Sequence, residues 1–205
     1  MTQAALIHVV DDDESFRASL LDLLQAAGYE ARGYPSTGDF LLNPTSDRPG
    51  CLLLDMRLPG PSGLELQAAL RRQERTIPII FLTGHADVTS GIQAMKAGAV
   101  DFLEKPVERA ALIDAIRRAL ERDGVERGAR EALQRQHERL AVLTTREREV
   151  FERIVAGRLN KQIADELAIS LRTVKAYRAH LMEKLGVSTA AELGRLAGER
   201  RDRAD

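Results

Sequence analysis

The first 120 residues contain short apolar runs that alternate with helical patterns, and each run stops abruptly at polar residues. The runs are Ala5–Val10, Cys51–Leu54, Ile77–Leu82 and Ala99–Leu103, and a further strand is predicted near 29–34. Continuous apolar runs of this length are typical of parallel strands with both faces buried. Helices are predicted near 14–27, 37–42, 64–74, 87–97 and 107–121. Five βα repeats predict an α/β fold with a doubly wound, five-stranded parallel sheet.

Chemically useful side chains follow four of these strands. Asp11 and Asp12 follow the first run, Asp55 the second, Thr83 the third and Lys105 the fourth. Since the carboxyl ends of parallel strands meet at one edge of the sheet, these groups are predicted to converge there. Alone, an Asp at a strand end is more often a helix cap, and a Lys before Pro is usually just exposed. Their joint placement favours a site.

The predicted site suits a divalent cation and a phosphoryl group. Magnesium prefers oxygen ligands and needs only one or two carboxylates besides water and phosphate, so Asp11, Asp12 and Asp55 would supply the charge. With the metal screening the repulsion between negative groups, Asp55 can act as a nucleophile and form an acyl phosphate. Lys105 would then bind phosphoryl oxygens as a point charge, and the Thr83 hydroxyl would donate to another.

The composition changes in the C-terminal part. Residues 1–120 hold 12 Lys and Arg against 16 Asp and Glu, whereas residues 121–205 hold 18 against 15. Residues 140–198 predict four short helices and no strands. Thr144 and Glu147 form a capping box, Asn160 and Ser170 are placed to cap the second and third helices, and Gly186 ends the third. The short turn that ends at Ser170 is typical of a helix-turn-helix.

The third of these helices is basic on one face. It carries Lys175 and Arg178, with Thr173 near its start. Such a helix can offer some side chains to base edges in the major groove and others to phosphates. A basic helical face is more often only a solvated face, but the turn, the caps and the flanking helices favour DNA binding.

Between the two parts, residues 122–139 are rich in Glu, Arg, Gln and Ala. The segment predicts a solvated linker that is helical for much of its length. Pairing between chains through its leucines is a second interpretation, although Gly124 and Gly128 interrupt the heptad pattern. The sequence thus predicts three parts: residues 1–121, a linker over 122–139, and residues 140–205.

Other features narrow the class of protein. Cys51 is the single cysteine, so neither an internal disulfide nor a thiolate metal cluster is possible. We expect Cys51 and His8 to be packed core residues. No apolar stretch approaches the length that spans a bilayer, and Met1-Thr2-Gln3 lacks the basic start of a secretory signal. A cytoplasmic protein is expected.

Residues 1–121 resemble a response-regulator receiver domain. The matching residues are Asp11-Asp12, Asp55 with Leu58-Pro59-Gly60, Thr83-Gly84, Gly98-Ala99, Asp101-Phe102-Leu103 and Lys105-Pro106. The resemblance implies strand order 2-1-3-4-5, phosphorylation of Asp55 by a sensor histidine kinase, and Mg²⁺ held by the three aspartates and the Arg57 backbone carbonyl. It also implies a cis Lys105–Pro106 bond.

The same resemblance assigns roles to three further residues. Phe102 stands where the family has its switch aromatic, often Tyr. Arg57 and His85 lie two residues after Asp55 and Thr83. In such domains these two positions tune the lifetime of the acyl phosphate.

Residues 143–187 resemble the LuxR-type helix-turn-helix of FixJ/NarL-group regulators. The signature is Leu143–Val150, Gly157, Asn160–Ala164, Ile169-Ser170, Thr173–Lys175 and Lys184–Val187. The resemblance implies that Lys175, Ala176 and Arg178 face bases, whereas Lys161 and Thr173 bind phosphates. Tyr177 departs from the His that is usual in the family.

Together these resemblances imply a two-component response regulator that is not an enzyme beyond acquiring and losing its own phosphoryl group. The implied partners are a sensor histidine kinase, promoter DNA, RNA polymerase and, after phosphorylation, a second copy of the chain, with no membrane partner. Activation through a phosphorylation-promoted dimer is expected.

Two rival interpretations stay open. A phosphohydrolase with an aspartyl-phosphate intermediate commonly needs a second acid two residues beyond the nucleophile, where this chain has Arg57. The second rival is a binding module governed by a protein or small ligand, in which the acidic site is vestigial. The presence of all five site residues argues against it: Asp11, Asp12, Asp55, Thr83 and Lys105.

Overall fold

A computed structural model describes residues 4–43, 48–73, 75–84 and 88–198. The N-terminal part folds as a parallel sheet with helices on both faces. Its elements are β1 Leu6–Val10, α1 Glu14–Ala26, β2 Glu30–Tyr34, α2 Thr37–Leu42, β3 Gly50–Asp55, α3 Gly63–Arg72, β4 Ile79–Thr83, α4 Val88–Lys96, β5 Asp101–Glu104 and α5 Arg109–Ala141. The strand order is β2-β1-β3-β4-β5 with every pair parallel, which confirms the predicted fold and order.

Burial along the strands explains why the apolar runs are continuous. Every residue of β3 and β4 is buried, whereas the edge strand β2 is partly exposed. One core lies between the sheet and the pair α1 and α5, and a second core packs residues of α3 and Phe40 of α2 on the other face. Cys51 is fully buried, as predicted. The register sets Asp55 opposite Leu82, and Thr83 opposite Glu104, so the site residues come to one edge.

His8 is the packed core histidine that the sequence predicts. Its side chain is buried, its Nδ1 lies 2.9 Å from the Tyr34 hydroxyl, and its ring contacts Tyr34 and Phe40. Burial, assisted by the positive charge of Arg32, lowers the pKa of His8 to about 4. The imidazole is therefore neutral at neutral pH and behaves as part of the core.

The C-terminal part is helical: α6 Thr145–Val155, α7 Asn160–Leu167, α8 Leu171–Leu185 and α9 Ala190–Gly198. Thr144 and Glu147 form the predicted capping box, Ser170 accepts a hydrogen bond from the Thr173 N–H, and Gly186 ends α8 in the left-handed conformation. The predicted cap at Asn160 is wrong, because Asn160 is already the first residue of α7. Among the described helices, none is both long enough and apolar enough to cross a bilayer.

Helix α5 continues from the first part into the predicted linker as one 33-residue helix. The chain divides into two compact units between Arg127 and Gly128. The segment is helical as expected and mostly exposed, but one residue near each end is buried. In the first unit Asp123 is buried and accepts a hydrogen bond from the Gly50 N–H at 3.1 Å. In the second, buried Gln136 donates to the Leu196 carbonyl. The domain boundaries given above stay a prediction.

We expect Gly50→Ala to destabilise the first unit strongly. An added Cβ would lie 2.3 Å from the Leu6 carbonyl oxygen, which belongs to the neighbouring strand and cannot move without breaking the ladder. Overpacking of this kind costs roughly 3 kcal/mol. Urea titrations of the full chain, followed through the NMR methyl signals of buried Ile7 and Ile80, would measure the change.

Gly124→Ala is the matched control for Gly50→Ala. No atom lies within 4 Å of the Cβ that it adds, and the position is helical. It should leave the first unit unchanged or stabilise it by up to about 1 kcal/mol. Equal effects of the two substitutions would contradict the assigned register of β1 and β3.

Candidate functional site

The three predicted acidic residues converge at the carboxyl edge of the sheet. Asp11, Asp12 and Asp55 each present a carboxylate oxygen, and these oxygens lie within 4.8 Å of one another. Asp11 and Asp55 are buried, whereas Asp12 is exposed. Hard carboxylate oxygens at this spacing, with one open side, suit Mg²⁺ better than a softer ion.

Lys105 joins two of these acids. Its Nζ donates to Asp11 Oδ2 at 2.6 Å and to Asp55 Oδ2 at 2.7 Å, and its side chain is only 17% exposed. Burial opposes the charged ammonium, but the two hydrogen bonds outweigh it and raise the pKa of Lys105. Burial also raises the pKa of Asp11 despite the hydrogen bond from Lys105. The cluster thus combines three acidic side chains with a single ammonium, a set that a divalent cation would complete.

Backbone and side-chain donors hold the acids in place. The Asp13 N–H donates to Asp11 Oδ1, and the Arg57 N–H donates to Asp55 Oδ1, both at 3.0 Å. Arg17 on α1 donates to the Asp11 carbonyl at 2.6 Å. Sequence reasoning missed the roles of Asp13 and Arg17, although both follow the acidic pair closely. The Arg57 carbonyl as a metal ligand stays a prediction.

The end of β4 is joined to the residue after β5 by a backbone hydrogen bond. Thr83 is buried at the end of β4, and its carbonyl accepts the Lys105 N–H at 2.6 Å. The peptide bond between Lys105 and Pro106 is cis, as the resemblance implied. His85 lies outside the described residues. The structure thus brings Asp11, Asp12, Asp55 and Lys105 together and joins Thr83 to Lys105 through the backbone, whereas the role of the Thr83 hydroxyl stays a prediction.

Phe102 lies on β5, three residues before Lys105. Its ring is partly buried and packs next to α4, so close that a Cβ on Gly91 would lie 3.3 Å from ring carbons. A glycine at this point of α4 therefore leaves room for the aromatic ring. The role of switch aromatic that the resemblance assigns to Phe102 stays a prediction.

The C-terminal end of α4 is held by side chains that the sequence did not reveal. Gln67 donates to the Ala94 and Ala97 carbonyls, and Arg71 donates to the Ala97 carbonyl as well. Arg122 on α5 donates to the Gly98 carbonyl at 3.1 Å. These donors satisfy carbonyls that a helix end leaves without intrahelical partners. No local pattern marks Gln67 or Arg122 for this task.

In the second unit, the helix-turn-helix consists of α7 and α8. Lys161, Lys175 and Ala176 are exposed, so they are accessible to a nucleic acid. Arg178 is half-buried and donates to Asn160 Oδ1 at 3.1 Å. This bond links α8, the predicted recognition helix, to the start of α7. Thr173 lies within 2.8 Å of the Ser170 hydroxyl in the first turn of α8. The contacts of these residues with DNA stay predictions.

Glu147 ties α6 to the recognition helix. It is buried, its Oε2 accepts a hydrogen bond from Lys184 at 2.7 Å, and the same oxygen accepts the Thr144 N–H at 2.9 Å. These hydrogen bonds lower the pKa of Glu147 to about 2, and the bond from Lys184 contributes most. Sequence reasoning identified the cap but not the partner on α8.

We expect Glu147→Gln to destabilise the second unit by about 1–2 kcal/mol at pH 7. Because the folded pKa lies below the ordinary value of 4.5, the unfolded chain binds the proton first. The stabilisation is thus complete above about pH 4.5 and is lost as the pH falls towards 2. Urea titrations followed through the methyl signals of Val150 and Leu181 at pH 7 and pH 3 would measure it.

Glu149→Gln serves as the control on the same helix. Glu149 pairs with exposed Arg146, and such surface pairs contribute less than about 1 kcal/mol. If Glu147→Gln changed stability no more than Glu149→Gln at pH 7, the bond to Lys184 would not stabilise this unit.

Comparison with known proteins agrees with this geometry. Residues 7–117 match the family described as the response regulator receiver domain, and residues 141–197 match the luxR family of bacterial regulatory proteins. The chain belongs to the response regulators with a LuxR-type DNA-binding domain. This confirms the resemblances that the motifs carry.

Two relatives align with nearly the whole of this chain. Nodulation protein W of Bradyrhizobium diazoefficiens is 42% identical over 94% of this chain and 85% of its own. Transcriptional regulatory protein FixJ of Azorhizobium caulinodans is 41% identical over 96% and 93%. The second of these relatives is named as a transcriptional regulatory protein.

Solved structures give the same result. The response regulator StyR superposes with a TM-score of 0.85 at 42% identity, covering 96% of this chain and 100% of that one. Full-length FixJ from B. japonicum gives a TM-score of 0.58 at 40% identity, covering 97% and 98%. The chain is thus a FixJ-like transcription regulator with a receiver domain.

Proposed function

We propose that a sensor histidine kinase phosphorylates Asp55, and that this event controls sequence-specific DNA binding by the second unit. The observation that carries the proposal is the Asp11, Asp12 and Asp55 cluster with Lys105 bonded across it. Membership in the receiver family supports the kinase as donor, and the LuxR-type unit supports promoter DNA as target.

The chemical step is transfer of a phosphoryl group to a carboxylate. An Asp55 oxygen attacks the phosphorus of a phosphohistidine, a P–O bond forms, and the P–N bond breaks with its electron pair returning to the kinase imidazole. Lys105, already within hydrogen-bond reach of Asp55, neutralises the phosphoryl oxygens. The Thr83 hydroxyl donates to another of these oxygens. Water later hydrolyses the mixed anhydride and resets the site.

Mg²⁺ fits the same residues. Asp11, Asp12 and Asp55 would hold it, together with the Arg57 carbonyl and the phosphoryl group. When bound, the cation would neutralise charge on the acids and on the phosphoryl oxygens, and thus favour their approach.

Phosphorylation would then change a surface that is used for pairing. The phosphoryl group adds about −1.5 to −2 charge and three acceptors, which would draw in Thr83 and let Phe102 turn inward. Ile92 and Met95 are exposed on α4, which packs beside β5, and Arg118 of α5 pairs with Asp101 of β5. We propose that this α4–β5–α5 face pairs two phosphorylated receivers.

A receiver dimer would place two recognition helices on the same promoter. Half-sites about one helical turn apart match a two-fold protein dimer. Lys175, Ala176 and Arg178 would face bases, and Lys161 and Thr173 would bind phosphates. The bound dimer would recruit RNA polymerase in the cytoplasm and thereby activate transcription.

The test is binding of the full chain to genomic DNA fragments with and without acetyl phosphate and Mg²⁺. Selective enrichment of particular fragments only after phosphorylation supports the proposal. Equal enrichment in both conditions, with phosphorylation verified by intact mass, would show that the acidic site does not control DNA binding.

A further inference from the structure

Phe16 occupies a position next to the site that none of the motifs assigns. The Lys105 Nζ lies 4.3 Å from the centre of the Phe16 ring, over its face. The first turn of α1 fixes this residue, because Asp13 Oδ1 accepts the Phe16 N–H at 3.0 Å. Phe16 itself is partly buried and packs against the core under α1.

The contacts of the ammonium explain what the ring does. Two of its three N–H groups donate to Asp11 and Asp55, and the aromatic face covers a further side. The negative face of an aromatic ring attracts a cation without requiring one direction of its N–H bonds. The ammonium can therefore exchange one carboxylate oxygen for another acceptor while the ring keeps it in place.

We propose that Phe16 is a positioning residue that holds the Lys105 ammonium at the phosphoryl site through a cation–π contact. The proposal rests on the proposed function, since a phosphoryl group on Asp55 requires Lys105 to bind a new oxygen without leaving the site. A merely packed Phe16 would stabilise α1 and have no specific effect on Lys105.

The first experiment measures phosphorylation of the full chain by acetyl phosphate with Mg²⁺. Phe16→Leu should slow it three- to tenfold, the range expected from loss of a partly desolvated cation–π contact. Phe16→Tyr keeps a ring and should restore the rate to within about twofold of the unmodified protein. Trifluorophenylalanine incorporated at position 16 keeps the shape but weakens the ring face, so an intermediate rate is expected.

Leu21→Ala is the control for loosening of α1. Leu21 is partly buried against the same core but has no described contact with Lys105. It should leave the rate within about twofold of the unmodified protein. A rate for Phe16→Leu within twofold of the unmodified protein, or Phe16→Tyr as slow as Phe16→Leu, would overturn the proposal, as would an equal loss with Leu21→Ala.

The second readout needs no phosphorylation. The Lys105 ε-protons should show upfield NMR shifts from the ring current, assigned by their absence in Lys105→Met. The shifts should disappear in Phe16→Leu and persist in Phe16→Tyr and Leu21→Ala. If the unmodified protein accepted no phosphoryl group, the proposed function would fail, and these shifts would still decide whether the Phe16 ring lies over the Lys105 side chain. Unshifted ε-protons in the unmodified protein would overturn the Phe16 proposal.

Discussion

Asp55→Asn is expected to reduce phosphoryl incorporation from acetyl phosphate by more than about a hundredfold, since a neutral amide oxygen is a far weaker nucleophile than a carboxylate. The fold should survive, because Asn keeps the volume of Asp55 and its amide oxygen can still accept the 2.7 Å hydrogen bond from Lys105. Intact-protein mass spectrometry after incubation with acetyl phosphate and Mg²⁺ measures incorporation directly. The loss therefore reports on chemistry at one atom and not on unfolding.

Asp22→Asn makes the same chemical change at an exposed position of α1 and serves as the control. This variant should incorporate phosphoryl groups at the normal rate. Incorporation by Asp55→Asn within tenfold of the unmodified protein would mean that another group is the nucleophile. Peptide mapping of the phosphorylated product would then identify that group. With the nucleophile elsewhere, the acidic cluster would not be the phosphoacceptor site.

Lys175→Ala is expected to weaken binding to a specific promoter fragment by roughly ten- to a hundredfold, because a good contact to a base edge is worth about 1–3 kcal/mol. Lys175 is exposed on α8, and no hydrogen bond within the described residues would be lost with its side chain. Fluorescence anisotropy with specific and scrambled duplexes at several salt concentrations measures the effect. Binding to the scrambled duplex should change much less.

Lys161→Ala provides the matched comparison. Lys161 is also exposed, but it lies on α7, where a phosphate contact is predicted. It should weaken binding to both duplexes about equally and reduce the salt slope by about 1. If Lys175→Ala showed this uniform pattern and Lys161→Ala the sequence-dependent one, the assignment of bases and phosphates would have to be exchanged.

Arg178 illustrates why a role in recognition needs the tertiary structure. The motif predicts that it reads a base, yet in the structure its guanidinium donates to Asn160 on α7. Arg has further N–H donors beyond this one. A base contact by Arg178 would therefore be made by a side chain that α7 already orients.

The sequence alone determined the fold class, the strand order through its family resemblance, and the five residues at the strand ends. Continuous apolar runs predict buried parallel strands, and the runs end where the polar groups begin. Parallel pairing then brings Asp11, Asp55 and Thr83 together without any knowledge of side-chain positions. The capping box at Thr144 and the cap at Ser170 could also be predicted from the sequence, because both join residues that are three positions apart.

Tertiary structure alone decided the contacts between residues far apart in the chain. Asp123 reaches the Gly50 N–H across 73 residues, Lys184 reaches Glu147 across 37, and the Phe16 ring covers Lys105. Nothing in the local pattern around any of these residues signals its partner. Periodicity reports which face of a helix or strand is buried, whereas a pair of side chains meets only when the packing of two elements and both rotamers agree.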